Sequence, residues 1–180
     1  MLTTNNHWQL AIAVWGLLLA ANAQASSLCA GIENAAITAS TPSADFTDNG
    51  DGTVTHHTTG LIWQRCSLGQ SWDDASCSGA ASTFNWWQAL QQAQQNTFAG
   101  HSDWRLPNKN ELASIVEYRC YGPAINSQQF PNTPLGWYWS SSHYAFNSSN
   151  AWDVNFEGGY VNYDSKGNGG LRVRLVRAGQ

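Results

Sequence analysis

Four cysteines follow an apolar N-terminal stretch, and they constrain the fold more than any other feature of this chain. An even number of cysteines in an exported chain predicts two disulfides, although four cysteines allow three pairings. We favour Cys66–Cys77, which closes a short loop, together with Cys29–Cys120, which ties the N-terminal part of the chain to its middle. A zinc site is the alternative, but the sequence contains no CxxC pair and the spacings are irregular.

The apolar stretch, LAIAVWGLLLA at residues 10–20, has the length of a signal-peptide core. It is shorter than the ~20 residues that a helix needs to span a bilayer. Small-x-small cleavage patterns follow at residues 21–23 and 23–25. We therefore expect residues 1–25 to be a signal peptide and the mature chain to be exported to the periplasm, the cell surface or the medium. An uncleaved anchor is the alternative.

Charged residues make up 11% of the chain, whereas an average soluble protein has roughly 25%. Eight basic and 12 acidic residues give a net charge of −4. A nucleic-acid binder needs a basic surface, because Lys and Arg displace the counterions of the phosphates. We therefore expect no nucleic-acid partner. No later apolar run is long enough to cross a membrane, so we expect no membrane span after signal cleavage.

Residues 26–43 are small and polar and are predicted to form an N-terminal arm, which leaves residues 44–180 as one domain. Asn-Gly and Asp-Gly steps at residues 49–52 stand between β-forming residues and predict a hairpin turn. A calcium loop starting at Thr47 is the alternative, but Thr58 stands where such a loop needs its bidentate Glu. We therefore expect a turn and no cofactor, with calcium left open as the alternative.

Two helices are predicted in the middle of the chain. The first runs from about Asn85 to Phe98, and Gly100 marks its end. The second begins after Asn108, a fitting N-cap, and Glu111 stands three residues later as in a capping box. The predicted apolar faces consist of Trp86, Leu90, Ala93 and Phe98 in the first helix and of Leu112, Ile115, Val116 and Arg119 in the second.

The C-terminal part alternates apolar and polar residues, which predicts β-strands at 137–142, 151–156, 160–163 and 171–177. In the last of these strands, Leu171, Val173 and Leu175 are expected to face the core. Because side chains alternate along a strand, Arg172 and Arg174 are then expected to point outward.

Five sequence blocks in order carry a family resemblance: DNGDGTVTHHTTGLIWQ at 48–64, DWRLPNKNEL at 103–112, YWSSS at 138–142, AWDVNF at 151–156 and VRLVR at 173–177. Together they resemble the DUF1566 family, also called the Lcl C-terminal domain family, over about residues 44–177. The resemblance implies an α+β, C-type-lectin-like fold in which two helices flank a short twisted antiparallel sheet, here stapled by disulfides. The namesake of the family is an adhesin module that binds sulfated glycosaminoglycans as a trimer.

Catalytic motifs are missing from the sequence. His56 and His57 are adjacent, so on a strand they point to opposite faces and cannot hold one ion together. No HExxH, GxSxG or glycine-rich phosphate loop occurs. The related sulfatase-modifying domains act through a cysteine pair near the C-terminus, and no cysteine follows Cys120 here. We therefore expect no enzyme activity.

The C-terminal third is rich in aromatic residues beside short polar ones, which is typical of binding surfaces, since aromatic faces stack on sugar rings and anchor protein contacts. Trp63, Trp86, Trp104, Trp139 and Trp152 are instead predicted to lie in the core. The ligand-binding candidates are the loop, turn and outer-strand residues His143, Tyr144, Asn147, Asn150, Tyr160, Tyr163, Asp164, Lys166, Arg172 and Arg174.

The leading functional hypothesis is an exported bacterial binding module, an adhesin-like domain that recognises a glycan or a protein at the cell surface. The alternative is a structural or assembly component of a surface appendage or envelope complex. The oligomeric state stays open, a homo-oligomer included.

Overall fold

The computed structural model describes residues 27–179, so the predicted signal peptide lies outside the described residues. This part of the chain is a small mixed α and β structure with several antiparallel sheets. Its elements are β1 (Ile32–Glu33), β2 (Phe46–Asp48), β3 (Thr53–His56), β4 (Leu61–Gln64), β5 (Ser71–Trp72), β6 (Cys77–Ser78), α1 (Trp86–Gln95), α2 (Lys109–Ala113), β7 (Cys120–Tyr121), β8 (Trp137–His143), β9 (Asn150–Asn155), β10 (Tyr160–Ser165) and β11 (Val176–Ala178). None of the helices within residues 27–179 is long and apolar enough to cross a membrane.

The largest sheet has the order β11-β4-β3-β2, with every neighbouring pair antiparallel. The predicted hairpin turn joins β2 to β3. Gly50 and Gly52 have φ angles of 78° and 84°, a left-handed conformation that glycine adopts at little cost. The Asp48 and Asp51 carboxylates accept hydrogen bonds from the backbone amides of Gly50 and Thr53, so they stabilise the turn itself.

A second, three-stranded sheet has the order β10-β9-β8 and is antiparallel throughout. β9 and β10 pair at six consecutive positions, from Tyr160 opposite Asn155 to Ser165 opposite Asn150. β8 is irregular between Trp139 and His143, where the register against β9 shifts. Half of the ten predicted ligand contacts lie in this sheet.

Two apolar cores hold these elements together. The first packs α2 and the largest sheet against β8 and β9, and the second packs α1 against Trp139 and the chain before β11. Members of the first core include Val54, Trp63, Leu112, Phe130, Tyr138 and Val154, and members of the second include Trp86, Ala89, Trp104, Trp139, Leu171, Val173 and Leu175. Four of the five tryptophans predicted for the core are therefore buried, and Trp152 is partly exposed.

Both helices begin as predicted and are shorter than predicted. Capping boxes are present at Asn85, with Gln88, and at Asn108, with Glu111. The first helix stops at Gln95, because Asn96 has extended backbone and Phe98 pairs with His101 in an isolated bridge. The second helix stops at Ala113. The chain then bends so that Val116 bridges to Ile125, which ends the predicted helical face before Arg119.

The prediction of one strand over residues 171–177 with outward arginines is wrong. The chain forms isolated bridges at Leu171 and Arg172, and regular strand pairing starts at Val176 in β11. Arg174 is fully buried, because this segment has neighbours on both of its sides. Its guanidinium donates hydrogen bonds to the carbonyl oxygens of Gln64 and Arg65 and to the Thr133 hydroxyl.

Two disulfides join Cys66 to Cys77 and Cys29 to Cys120, which is the pairing that the sequence analysis favours. The second disulfide holds the N-terminal arm, and β1 of the arm pairs with β7. The arm is fixed further along by Glu117, whose carboxylate accepts hydrogen bonds from the Ser40 and Thr41 backbone amides. Burial alone would raise the pKa of Glu117, but hydrogen bonds from the Ser40, Arg119 and Thr41 backbone amides and from the Thr41 hydroxyl together outweigh it. The pKa of this carboxyl group is therefore below its ordinary value.

Candidate functional site

Four aromatic side chains, Tyr144, Phe146, Trp152 and Tyr163, form a cluster beside the β9–β10 pair, which we call the aromatic platform. The Tyr144 and Tyr163 rings are stacked, with centroids 3.9 Å apart and planes 13° apart. The Trp152 ring meets Tyr144 and Tyr163 edge-on, at 5.1 and 6.0 Å. Phe146 leans against Tyr144 at 5.7 Å. The four rings therefore support one another in fixed orientations.

The sheet register explains why these residues meet. Tyr163 of β10 lies directly opposite Trp152 of β9, so both side chains project from the same face of the sheet. Tyr144 follows β8, and its backbone amide donates a hydrogen bond to the Asn150 carbonyl, which brings the start of the loop back to the sheet. The loop between β8 and β9 then carries Phe146 to the outside.

The aromatic platform is open to solvent. Phe146 is 91% exposed and Tyr163 is 42% exposed, whereas Tyr144 and Trp152 are partly buried beneath them. Aromatic residues normally lose most of their exposed area in a small domain, so an exposed stacked cluster is an unusual feature of the surface. Desolvation and the adjacent Tyr163 hydroxyl raise the pKa of Tyr144, so its hydroxyl stays protonated near neutral pH and can donate a hydrogen bond.

A lysine borders the platform. Lys109, the first residue of α2, places its Nζ 4.3 Å from the centre of the Trp152 ring. Its backbone amide donates to the Ser142 hydroxyl, which fixes the start of α2 against β8. Among the ion pairs of residues 27–179, none involves Lys109. The ammonium group at the edge of the platform therefore has no ion-pair partner within residues 27–179.

Lys166 has a different role from the predicted one. It was expected to contact ligand, but it is buried with 5% of its surface exposed. Its Nζ donates to the Ser148 carbonyl and lies 2.8 Å from His143 Nδ1. The same ammonium lies 4.7 Å from the centre of the Trp86 ring. Lys166 therefore holds the loop that carries the platform, because the loop folds back over the end of β10.

Of the remaining candidates, His143, Asn147 and Asn150 lie at this loop. His143 is exposed, and its ring packs edge-on against Trp86 at 4.8 Å. Asn147 is a turn residue, since its side-chain oxygen accepts the Ser149 amide. Asn150 begins β9 and pairs with Ser165. The structure therefore brings these three residues close to Tyr144.

The other candidates lie elsewhere. Tyr160 is exposed at the opposite end of β10, and the side chain of Arg172 is partly buried next to Gly136. Asp164 accepts hydrogen bonds from the Ser165 amide and the Asn168 side chain. Arg174, which is predicted as a ligand contact, has no exposed surface, because its side chain is enclosed in the interior. These residues do not add to the platform.

A buried carboxyl group lies in the same sheet. Asp153 of β9 is 1% exposed, and its Oδ1 has no hydrogen-bond partner within the described chain. It lies opposite Trp139 on β8 and Asn162 on β10. Desolvation, and secondarily the nearby Asp164 carboxylate, raise the pKa of Asp153 to about 7. This group titrates near neutral pH beneath the strands that build the platform.

Clefts elsewhere on the surface are less suited to a ligand. One of about 360 Å³ lies between α1 and residues 104–106, and its cation, Arg105, is bound by both Nη atoms to Glu111. Another of about 400 Å³ contains Gln64 and Asn96, whose side chains bond to each other. A third of about 490 Å³ lies beside the N-terminal arm, where Arg119 pairs with Glu33. The polar groups named here are thus already bonded within the protein.

Sequence reasoning missed Phe146, Trp152 and Lys109 as parts of the site. An aromatic residue inside a loop of Asn and Ser was a signal for Phe146, because such a loop has little apolar surface to cover it. Trp152 was assigned to the core from its place in a family block. Its partial exposure depends on which strand lies opposite, and the sequence does not show that.

Comparison with known proteins identifies the chain. Residues 52–177 match the family model described as Lcl C-terminal domain. The matched range contains both helices, the three-stranded sheet and the whole aromatic platform. A search of curated proteins finds no match. The chain therefore belongs to the Lcl C-terminal domain family.

Proposed function

We propose that this protein is a surface-associated binding module and that its aromatic platform contacts a glycan. The observation that carries the proposal is the stacked pair Tyr144–Tyr163 with the 91% exposed Phe146 beside it. Rigid aromatic rings supply large contact areas at low entropic cost, and their faces fit the C–H faces of sugar rings. The proposal contains no catalytic step.

Polar groups around the platform complement this role. Hydroxyl groups of a sugar need donors and acceptors, and the Tyr144 and Tyr163 hydroxyls, the Asn147 side chain and the Lys109 ammonium lie around the rings. Asn147 is exposed in the same loop as Phe146. The mixture of flat apolar faces and short polar side chains favours a glycan over a purely apolar ligand.

We also infer that the fold is C-type-lectin-like, with α1 and α2 flanking the twisted sheet, and that the protein is exported. Family membership and the mixture of helices with antiparallel sheets support the fold. Two disulfides support export, because disulfides persist in oxidising compartments. The assembly-component alternative stays a prediction, with pull-down of envelope proteins as its test.

The test is a glycan array of neutral and acidic polysaccharides, heparin included, followed by titration of any hit with purified protein. Phe146→Ala and Tyr163→Ala are each expected to weaken binding about tenfold, which is about 1.4 kcal/mol. Tyr121→Ala is the matched control, since Tyr121 is 48% exposed on β7, outside the platform. The proposal fails if no polysaccharide binds, or if binding survives both platform substitutions unchanged.

A further inference from the structure

Trp87 is the most exposed tryptophan within residues 27–179. It is the second residue of α1, and 60% of its surface is exposed, whereas its neighbour Trp86 is buried in the second core. Trp87 itself belongs to neither of the two cores of the described chain. Single exposed apolar residues are common on protein surfaces, so the surroundings of this one decide whether it marks a binding site.

Two contacts fix the orientation of the Trp87 ring. The ring meets the Trp86 ring edge-on, with centroids 4.8 Å apart. The Lys166 ammonium lies 5.6 Å from the centre of the Trp87 ring, where the attraction between a cation and an aromatic face is favourable. A ring that is already held in one orientation loses little conformational entropy when a ligand packs on it.

His143 supplies a hydrogen-bond donor beside this ring. Its Nδ1 lies 2.8 Å from Lys166 Nζ, the same ammonium that contacts Trp87. An ammonium group can only donate, so Nδ1 accepts this bond and the hydrogen of the neutral ring is on Nε2. Because His143 is exposed, this N–H is the donor that it offers to a ligand. We call Trp87 and His143 together the Trp87 subsite.

The loop between β8 and β9 separates the Trp87 subsite from the aromatic platform. His143 ends β8 and belongs to the subsite, whereas the next residue, Tyr144, stacks on Tyr163 in the platform. Residues 145–149 form the tip of the loop and are all exposed. Apart from Phe146, the tip consists of Ala, Asn and Ser, and these short side chains leave room for a polymer to cross it. The two aromatic surfaces therefore border one exposed loop.

The charges of the chain disfavour an acidic ligand on these surfaces. The net charge is −4, and four of the eight basic residues are held in ion pairs with acidic residues. Lys166 and Arg174 are buried. Of the remaining two, Lys109 borders the platform and Arg172 lies elsewhere. A polyanion would therefore meet a repulsive net field and one unpaired cation beside the platform.

We propose that the Trp87 subsite and the aromatic platform together bind one linear, neutral polysaccharide that crosses the tip of the β8–β9 loop. This inference rests on the proposed function and adds to it the chemical class of the glycan and a second contact. Sugar rings stack on Trp87 and on the platform, and the His143 N–H and the Tyr144 hydroxyl bond to sugar hydroxyls. Two contacts on one chain raise its affinity above that of either contact alone, so long chains bind more tightly than short ones.

A comparison of neutral and acidic polysaccharides tests the chemical class. The neutral set is dextran, cellulose, xylan, chitin and mannan, and the acidic set is heparin, alginate and polygalacturonate. We expect the purified protein to bind at least one member of the neutral set and to bind the acidic set more weakly. Binding that is confined to the acidic set overturns the proposal and leaves the proposed function standing, whereas no binding to either set overturns both.

Calorimetry with oligosaccharides of the bound neutral polysaccharide tests the second contact. The wild-type protein is expected to bind a chain of six sugars at least tenfold more tightly than a chain of two. Trp87→Ala is expected to lose that gain and to keep its affinity for the short chain, whereas Phe146→Ala weakens the binding of both chains.

Tyr118→Ala is the matched control for Trp87→Ala. Tyr118 is an aromatic residue of similar exposure, 56%, and it lies beside Gly159 in the turn between β9 and β10, away from the β8–β9 loop. Its substitution is expected to leave the affinity for both chains unchanged. A Trp87→Ala variant that binds the six-sugar chain as tightly as the wild type overturns the proposal. The proposed function fails separately, when Phe146→Ala and Tyr163→Ala leave all binding unchanged.

NMR of the wild-type protein gives a measurement that does not depend on the folding of Trp87→Ala. The indole N–H signal of Trp87, assigned by its loss in Trp87→Phe, is expected to shift with the six-sugar chain and to stay in place with the two-sugar chain. A Trp87 signal that stays in place while Tyr163 signals shift with the six-sugar chain overturns the second contact. A shift that follows protein concentration without any glycan means that a second copy covers Trp87, which also overturns the proposal.

Discussion

Arg174 and Asp153 are both buried, but they differ in the hydrogen bonds that their charged groups make. The Arg174 guanidinium is surrounded by acceptors, including two backbone carbonyls and the Thr133 hydroxyl, and it lies 4.8 Å from the centre of the Phe130 ring. Burial lowers the pKa of Arg174 to about 10, so the group stays charged at neutral pH. Asp153 has an oxygen without a partner within the described chain, and no positive charge offsets its burial.

Asp153→Asn tests this difference. The pKa of Asp153 in the folded protein is about 7, above its ordinary value of 3.8, so the protonated form favours folding. The stability that the folded protein gains from protonated Asp153 is fully present below about pH 4. It is lost as the pH rises through 7, which lowers the unfolding free energy by on the order of 3–4 kcal/mol. Asp153→Asn is expected to flatten the fall in unfolding free energy between pH 5 and 8, measured by urea titration.

The control for this prediction is Asp74→Asn, which changes an exposed loop carboxylate. This variant is expected to show the same dependence of unfolding free energy on pH as the wild-type protein. A profile for Asp153→Asn that keeps the full wild-type slope would contradict the assignment of that slope to the buried carboxyl.

At the scale of elements, the loop between β8 and β9 owes its shape to hydrogen bonds at both of its ends. The Tyr144 amide donates to Asn150, the Asn147 amide donates to Tyr144, and the Ser149 amide donates to the Asn147 side chain. The Lys166 ammonium group donates a further hydrogen bond to the Ser148 carbonyl oxygen of this loop. The platform is therefore positioned by a loop whose anchor comes from the far end of β10.

Lys166→Met is expected to loosen this loop, since methionine retains the apolar stem but cannot donate to Ser148. Loss of one buried partner costs about 1–2 kcal/mol. The amides of residues 144–149 are expected to exchange with solvent about tenfold faster, and platform binding weakens with them. Hydrogen exchange read by NMR measures the effect directly.

Lys109→Met is the matched control for that experiment. It removes an ammonium from the same platform, but that ammonium contacts the Trp152 ring and makes no bond to the loop. Its loop amides are expected to exchange at the wild-type rate. Equal acceleration in both variants would mean that Lys166 is not the anchor of the loop.

The molecule as a whole is held by two disulfides of very different span. Cys29 and Cys120 are separated by 91 positions, whereas Cys66 and Cys77 are separated by 11. A crosslink restricts the unfolded chain more when its loop is longer, which corresponds to about 4.6 kcal/mol for the long loop and about 2.8 kcal/mol for the short one. The long crosslink also fixes the N-terminal arm to β7.

Paired alanine substitutions separate the two crosslinks. Replacing Cys29 and Cys120 is expected to lower the unfolding free energy by about 1.9 kcal/mol more than replacing Cys66 and Cys77. Urea unfolding of the two double variants, compared with the oxidised wild type, measures the difference. A larger loss from the short crosslink would contradict the loop-entropy account.

The local structures of this chain follow from its sequence alone. Asn85 and Asn108 cap helices because their acceptors and the amides that they serve lie within three residues of each other. The Asn-Gly and Asp-Gly steps make the hairpin turn for the same reason, and the ordered blocks identify the family. The favoured cysteine pairing also agrees with the structure.

The burial of Arg174 and the exposure of Trp152 depend on the tertiary structure. Alternation placed Arg172 and Arg174 on one face of a strand, but it could not show that the segment before β11 has neighbours on both sides, which buries Arg174. Likewise, Trp152 belongs to the platform because Tyr163 of β10 lies opposite it. Capping and turn bonds join near neighbours, so the sequence predicts them directly. Burial depends on contacts between residues far apart in the chain, so residue type predicts the burial of four tryptophans but not the burial of Arg174 or the exposure of Trp152.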